Sequence, residues 1–183
     1  MGYHESLTEG RNAVLEAFRS GKTVDRLFVL DGCQDGPVKT ILREAKKQDT
    51  MVQYVKKERL DQLSETKNHQ GVIAYCAACE YAEVSDILEN AKKKGEAPFI
   101  VLLDGIEDPH NLGAIIRTAN QAGAHGVIIP KRRAVGLTAT VARTSAGAVN
   151  YTPVAKVTNL VTVMEDLKKE GMWFVCADMD GEE

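Results

Sequence analysis

The sequence predicts an α/β protein, and three observations carry that prediction. Residues 99–103 form a short, unbroken apolar run, which suits a strand buried on both faces of a parallel sheet. Leu112, Ile115, Ile116, Ala119 and Ala122 then recur at three- and four-residue spacing, the stripe of an amphipathic helix. Residues 126–130 return as a second apolar run, so strand, helix and strand succeed one another as a βαβ unit with a right-handed crossover. Similar segments alternate through the rest of the chain. The expected organisation is an α/β domain over residues 1–79, a linker containing a helix over 80–98, and a parallel-sheet domain over 99–183.

In the first unit, Gly10-Arg11-Asn12 precedes a helical pattern of Ala13, Val14, Leu15, Ala17 and Phe18 that Gly21 ends. Residues 26–30 read as a strand. Val38, Ile41, Leu42 and Ala45 form the apolar face of a second helix, and residues 51–55 another strand. A short helix over 56–64 points Leu60 and Leu63 inward. The polar loop 66–71 leads to a strand over 72–76. In the linker, Ile87, Leu88 and Ala91 face inward behind a Ser85 cap. Lys92-Lys93-Lys94 closes the helix where its dipole favours cations.

The turn between residues 104 and 111 is polar, and Asn111 is placed to cap the helix that follows. At 100° per residue, Arg117 lies off the apolar stripe with Gly113, Asn120 and Gln121. Gly123 suits the left-handed stop. The helix start sits at the C-terminal end of a parallel strand, where open α/β sheets bind ligands. A capped surface helix with one solvated arginine meets the same pattern.

Further on, residues 137–143 can form a short helix. Ser145-Ala146-Gly147-Ala148 is a run of small residues that admits either a closely approaching backbone or a tight turn in the core. Residues 151–154 read as a strand, Thr158 as the cap of a helix with Leu160, Val163, Met164 and Leu167 inward, and 173–177 as a last buried strand.

Composition narrows the function. The net charge of −3 argues against a nucleic-acid partner when taken whole. Its distribution argues the other way, because residues 111–164 contain no Asp or Glu while Arg117, Lys131, Arg132, Arg133, Arg143 and Lys156 fall inside. Such a surface suits RNA or another phosphate-bearing ligand. No apolar run reaches the length of a membrane span, so no membrane partner is expected. Cys76-Ala77-Ala78-Cys79 lacks a second ligand pair, so no metal is expected. The four cysteines read as reduced thiols of a cytoplasmic protein.

The stretch LDGIEDPHNLGAIIRTA, residues 103–119, closely resembles the first motif of the SpoU/TrmH family of RNA ribose 2′-O-methyltransferases. Gly10-Arg11-Asn12-Ala13-Val14, His69-Gln70-Gly71-Val72, Gly123-Ala124-His125-Gly126, Pro130-Lys131-Arg132 and Ser145-Ala146-Gly147-Ala148 match as well. The two-domain layout is similar to the bacterial subgroup that methylates a guanosine of 23S ribosomal RNA. There a domain resembling small ribosomal RNA-binding proteins precedes a parallel-sheet SPOUT domain with a deep trefoil knot.

The resemblance implies methyl transfer from S-adenosylmethionine to a ribose 2′-hydroxyl, with Arg117 and Asn111 at the catalytic centre. An arginine stays protonated at ordinary pH, so the physical role open to Arg117 is electrostatic, holding a phosphate and favouring a developing alkoxide. Asn111 would fix the helix start. Arg11, His69 and Gln70 would grip RNA from the first domain, joined by Lys131, Arg132, Arg133 and Arg143. The family's later motifs, which build the knot and most of the donor pocket, have no counterpart before residue 183, which leaves Ala177 and Asp178 as donor contacts. The expectation is a C-terminally shortened enzyme that binds the donor weakly and is inactive as it stands, with a homodimer as the complete form. The alternatives are a non-catalytic RNA-binding remnant, or a methyltransferase acting on transfer RNA or conferring antibiotic resistance through ribosomal RNA.

Overall fold

A computed structural model describes residues 6–177. The first unit is a four-stranded sheet in the order β1-β4-β2-β3, made of β1 (Ser6–Glu9), β2 (Val24–Leu30), β3 (Met51–Val55) and β4 (Val72–Cys76). β2 runs parallel to β3 and antiparallel to β4, and β1 pairs antiparallel with β4. Helices α1 (Arg11–Arg19) and α2 (Gly36–Lys47) cover one face, burying Val14, Phe18, Val38 and Ile41 against Leu27, Val29, Val72 and Ala74. α3 (Lys57–Leu63) covers the other, with Leu60 against Phe28 and Ile73. Alternate strand residues therefore feed alternate cores, the period-2 rule of a sheet covered on both sides.

β1 is an element the apolar pattern does not announce. Its four residues hold one apolar side chain, Leu7, and it forms because β4 offers an open edge. The Glu9 carboxylate fastens it, accepting from the backbone N–H of Glu65 at 2.7 Å and of Thr66 at 3.2 Å and from the Ser64 and Thr66 hydroxyls.

The second unit is a three-stranded parallel sheet, β5 (Ile100–Leu102), β6 (Gly126–Pro130) and β7 (Val154–Val157), with β6 in the middle. Every residue of β6 is buried. Val127 and Ile129 face α5 (Pro109–Gln121) and α6 (Ala139–Thr144), while Ile128 faces α4 (Val84–Lys94) and α7 (Leu160–Lys169). The helix expected in a linker is thus a layer of this sheet. At Gly126 an added Cβ would stand 2.5 Å from Ile87 Cδ1, so a glycine is needed for α4 to lie this close. Gly123, at φ 77°, ends α5 in the left-handed conformation as its residue type suggests.

Several expected boundaries shift because short polar side chains compete for caps. Asp108, not Asn111, caps α5, accepting from His110 N–H at 2.8 Å, and Pro109 occupies the first helical position. Asn159 rather than Thr158 caps α7. Glu83 rather than Ser85 precedes α4, its N–H held by the Asp86 carboxylate at 2.9 Å. The strand expected over 151–154 begins at Val154, because residues 148–150 wind into a 3-10 turn and Tyr151 is left exposed. The small-residue run is a tight turn within the core, with Ser145 buried and Gly147 at φ 82°.

The last expected strand is not formed. Residues 172–177 run without a strand partner among the described residues, and although Met172 and Phe174 touch the α7 side of the core, Trp173 and Val175 are 95% and 98% exposed. An apolar run becomes a buried strand only where a sheet edge and a covering layer receive it, and here neither does.

Candidate functional site

The three parallel strands end on one edge, where residues 103–108, 131–138 and 158–159 emerge. That edge faces the first unit across a cleft of about 660 Å³. Lys131, Arg132 and Arg133 line it from the loop after β6, opposite Asp49 and Thr50 from the turn into β3 and Gln53 from β3 itself. A second cleft of about 310 Å³ continues it past Arg26, Arg59 and Gly136.

The segment after β4 stitches the units together. Ala78 N–H donates to Leu137 C=O at 2.7 Å, and Ala82 N–H to Val154 C=O at 2.9 Å, adding a parallel bridge beside β7. Between them Tyr81 is half-buried. Its hydroxyl donates to Asp25 at 3.0 Å and accepts from Leu137 N–H at 2.8 Å. Lys156 Nζ approaches the same Asp25 carboxylate at 2.5 Å, with both side chains largely buried, and lies 5.0 Å from the Tyr81 ring centroid. Burial, and after it the Asp25 charge, hold the Tyr81 hydroxyl protonated well above the ordinary phenol range. Gly136 belongs to this contact, since a Cβ there would stand 2.8 Å from both Asp25 Cγ and the Tyr81 oxygen.

The stretch free of acids in sequence is therefore not free of them in space. Asp25 takes Lys156 and Asp49 takes Lys131, both supplied by the first unit. Spacings of 131 and 82 residues leave no trace that pattern reading could detect. Arg132 and Arg133 are exposed and have no ion-pair partner among the described residues. Lys131 pulls the Asp49 carboxyl below its usual range by a hydrogen bond and by its charge, and Arg132 and the Thr158 side chain add to this.

Asn111 and Arg117 are both exposed on α5, but the helix does not bring them together. Six residues separate them by about 9 Å along the axis and by about 120° around it. Asn111 lies in the first turn, near the C-terminal edge of the sheet, whereas Arg117 lies two turns further from that edge. Arg117 has no ion pair among the described residues. Gly113, expected on the same solvated side, is buried, because α6 packs across it with Thr144 Cβ. Arg143 is exposed on α6, donating to Thr140 Oγ1 at 3.2 Å.

The first-unit candidates divide. Arg11 and Gln70 meet: Arg11 Nε donates to Gln70 C=O at 3.1 Å, its N–H to Gln70 Oε1 at 3.2 Å, and its guanidinium pairs with Asp35 at 2.5 Å. His69 is buried instead, its Nδ1 accepting from Gly71 N–H and its Nε2 facing the Asp61 carboxylate, both at 3.0 Å. It fixes the loop rather than offering a free contact. Gly71 pairs with Leu30 at the far end of β2 from Asp25, so this cluster stands about 17 Å along the sheet from Asp25.

For an S-adenosylmethionine donor the expected contacts are Ala177 and Asp178. Asp178 lies outside the described residues. Ala177 is exposed at the end of a segment with no strand partner among the described residues. Among the described residues no group of three or more His, Cys, Asp or Glu side chains is arranged to hold a metal ion. No helix among them is long and apolar enough to cross a membrane.

Fold and site together define a small mixed α/β module set against a parallel-sheet α/β domain across a cationic cleft. Residues 7–82 match the family model for RNA 2′-O ribose methyltransferase substrate binding, and residues 98–183 that of the SpoU rRNA methylase family. YacO of Bacillus subtilis, which bears a TrmH family tRNA/rRNA methyltransferase name, is 48% identical over 174 residues, covering 95% of this chain and 70% of the relative. A similarly named protein of Staphylococcus haemolyticus is 46% identical over 171 residues, covering 93% and 68%. The chain belongs to the SpoU/TrmH family. Among solved structures, the SpoU methyltransferase AviRb of Streptomyces viridochromogenes in complex with AdoMet aligns with a TM-score of 0.44 at 23% identity, over 91% of this chain. An rRNA methyltransferase of Sinorhizobium meliloti aligns with 0.42 at 25%, over 88%. This chain spans 59% and 57% of those two chains, less than two thirds of either.

Proposed function

We propose that the protein transfers a methyl group from S-adenosylmethionine to a ribose 2′-hydroxyl of RNA, most specifically of a guanosine in 23S ribosomal RNA. It works in the cytoplasm and as a homodimer. The observation that carries the RNA reading is the cleft itself: Lys131, Arg132 and Arg133 leave the C-terminal end of the central parallel strand and face the substrate-binding unit. Phosphate contacts of this kind set the position of the RNA rather than its sequence.

Arg117 is the catalytic residue in this reading, and Asn111 stands beside it in the motif. An unpaired guanidinium on an exposed helix face can hold a phosphate and favour negative charge developing on the 2′-oxygen. Arg143 on the adjoining α6 and the Arg11–Gln70 cluster extend the RNA surface. S-adenosylmethionine would supply the methyl group, and the chain's own residues hold and orient the RNA.

The test is transfer of a labelled methyl group to transcribed 23S ribosomal RNA and to transfer RNA at saturating donor, with calorimetry reporting donor affinity separately. Arg117→Ala is expected to lose at least about a hundredfold in rate, as removal of an electrostatic stabiliser does, with an unchanged melting temperature. Substantial transfer by Arg117→Ala removes that residue from the catalytic role. Labelling of transfer RNA alone removes the ribosomal assignment.

A further inference from the structure

Among the described residues, the Lys131–Asp49 pair is the one place where the first unit puts a carboxylate among the cations of the cleft edge and leaves it half in water. We propose that Lys131, Arg132 and the Thr158 hydroxyl form a phosphodiester-binding site, and that Asp49 occupies it as an internal phosphate mimic which RNA displaces. The proposal rests on the RNA reading and adds to it a particular site and a built-in competitor.

The placement is that of an anion site. Lys131 and Thr158 leave adjacent parallel strands at their C-terminal ends, held in register by the Lys131 N–H to Val157 C=O bond of 2.8 Å. The Asp49 carboxylate meets Lys131 Nζ, shares the cleft lining with the Thr158 side chain and feels the Arg132 charge. It thus offers these groups what a phosphate oxygen would offer, one negative charge and acceptors for each donor.

Its attachment suits displacement. The Lys131 and Asp49 side chains are 32% and 68% exposed, and ion pairs as open as this are weakly held. A phosphodiester entering the cleft exchanges for Asp49 with no change of charge at Lys131. It also gives Arg132 and Arg133 a partner they lack among the described residues. The other acids of the cleft do not serve as the competitor: Asp25 is half-buried and held by both Lys156 and Tyr81, and Glu83 begins α4. Because the half-buried contact of Asp25, Tyr81 and Lys156 is separate, releasing Asp49 does not require the two units to part.

The experiment compares the 183-residue chain with Asp49→Asn, Lys131→Ala and the double variant, using a short single-stranded RNA by fluorescence anisotropy and inorganic pyrophosphate by calorimetry. Asp49 sits at φ 51°, a conformation asparagine also adopts readily, so Asp49→Asn keeps the turn. Asp49→Asn is expected to bind both probes about twofold to fivefold tighter at low salt, the size set by an exposed ion pair. Lys131→Ala is expected to bind more weakly, with a salt slope shallower by about one. The gain from Asp49→Asn should vanish when Lys131 is absent. Unchanged or weakened binding by Asp49→Asn overturns the site, and so does an equal gain in the Lys131→Ala background, which would mark a diffuse charge effect. Pyrophosphate coupling without RNA binding keeps the anion site and removes the RNA reading. RNA binding without coupling removes the mimic and keeps the RNA reading.

Discussion

Gly113→Ala sets two effects against each other on the helix that carries Asn111 and Arg117. Helix propensity alone favours alanine over glycine by about 1 kcal/mol in a helix interior. The contact opposes it. An added Cβ would stand 2.8 Å from Thr144 Cβ and 3.0 Å from the Ser145 nitrogen, with the Thr144 hydroxyl closer still. Two of these three are atoms that no side-chain rotation can move away, so α5 and α6 must separate, and overpacking of this kind costs about 1–3 kcal/mol. At the upper end, which the backbone contact favours, the net loss is about 1–2 kcal/mol, or about 3–6 °C in a domain of this size. Thermal unfolding by circular dichroism measures it, and Thr144→Ala in the same chain should restore only part, because the Cβ contact stays. A melting temperature equal to or above the parent's would refute the reasoning, since propensity would then have outweighed the helix contact.

Two further outcomes test other parts of the structure. At Glu9 burial pushes the carboxyl pKa up, but the bonds from Ser64, Glu65 and Thr66 together outweigh it and hold it below the usual value. A group with a lowered folded pKa stabilises above its unfolded value of about 4.3 and loses that contribution as pH falls through the folded one. Thermal melts should therefore show Glu9→Gln less stable than the parent at neutral pH, with the gap closing below about pH 4. A constant gap across the acid range would sink this assignment. Trp173, the single tryptophan, is 95% exposed. Its emission should peak where a fully hydrated indole emits and be quenched freely by acrylamide. A blue-shifted, protected emission would mean that residues 172–177 are covered, either by the strand packing the apolar run suggests or by a second copy.

Much of the fold was legible because it depends on local period. β3 and β4 fall on the apolar runs residue for residue, and α1, α2 and α5 follow their stripes, since burying one face of a helix leaves a mark at three- and four-residue spacing. The failures have local causes too. Several short polar residues near a helix start can each serve as its cap, and geometry rather than type selected Asp108, Asn159 and Glu83. β1 is short and has one apolar residue, so nothing but its pairing with β4 reveals it. At the candidate site the exposure of Asn111 and Arg117 was legible on the helical wheel. Their separation along α5 and the burial of Gly113 were not fully so, because a second helix packing from 30 residues away leaves no periodic trace.

By itself, the sequence determined the alternation of strands and helices, the parallel βαβ unit and the family, because these reside in residue types at short spacing. Only the tertiary structure decided where the charges meet. It brought Asp25 and Asp49 onto the lysines of a stretch that holds no acid, buried His69 in its loop, and left Trp173 and Val175 exposed. Coulomb attraction and burial act through space, and positions 82 or 131 residues apart become neighbours only once the two units dock.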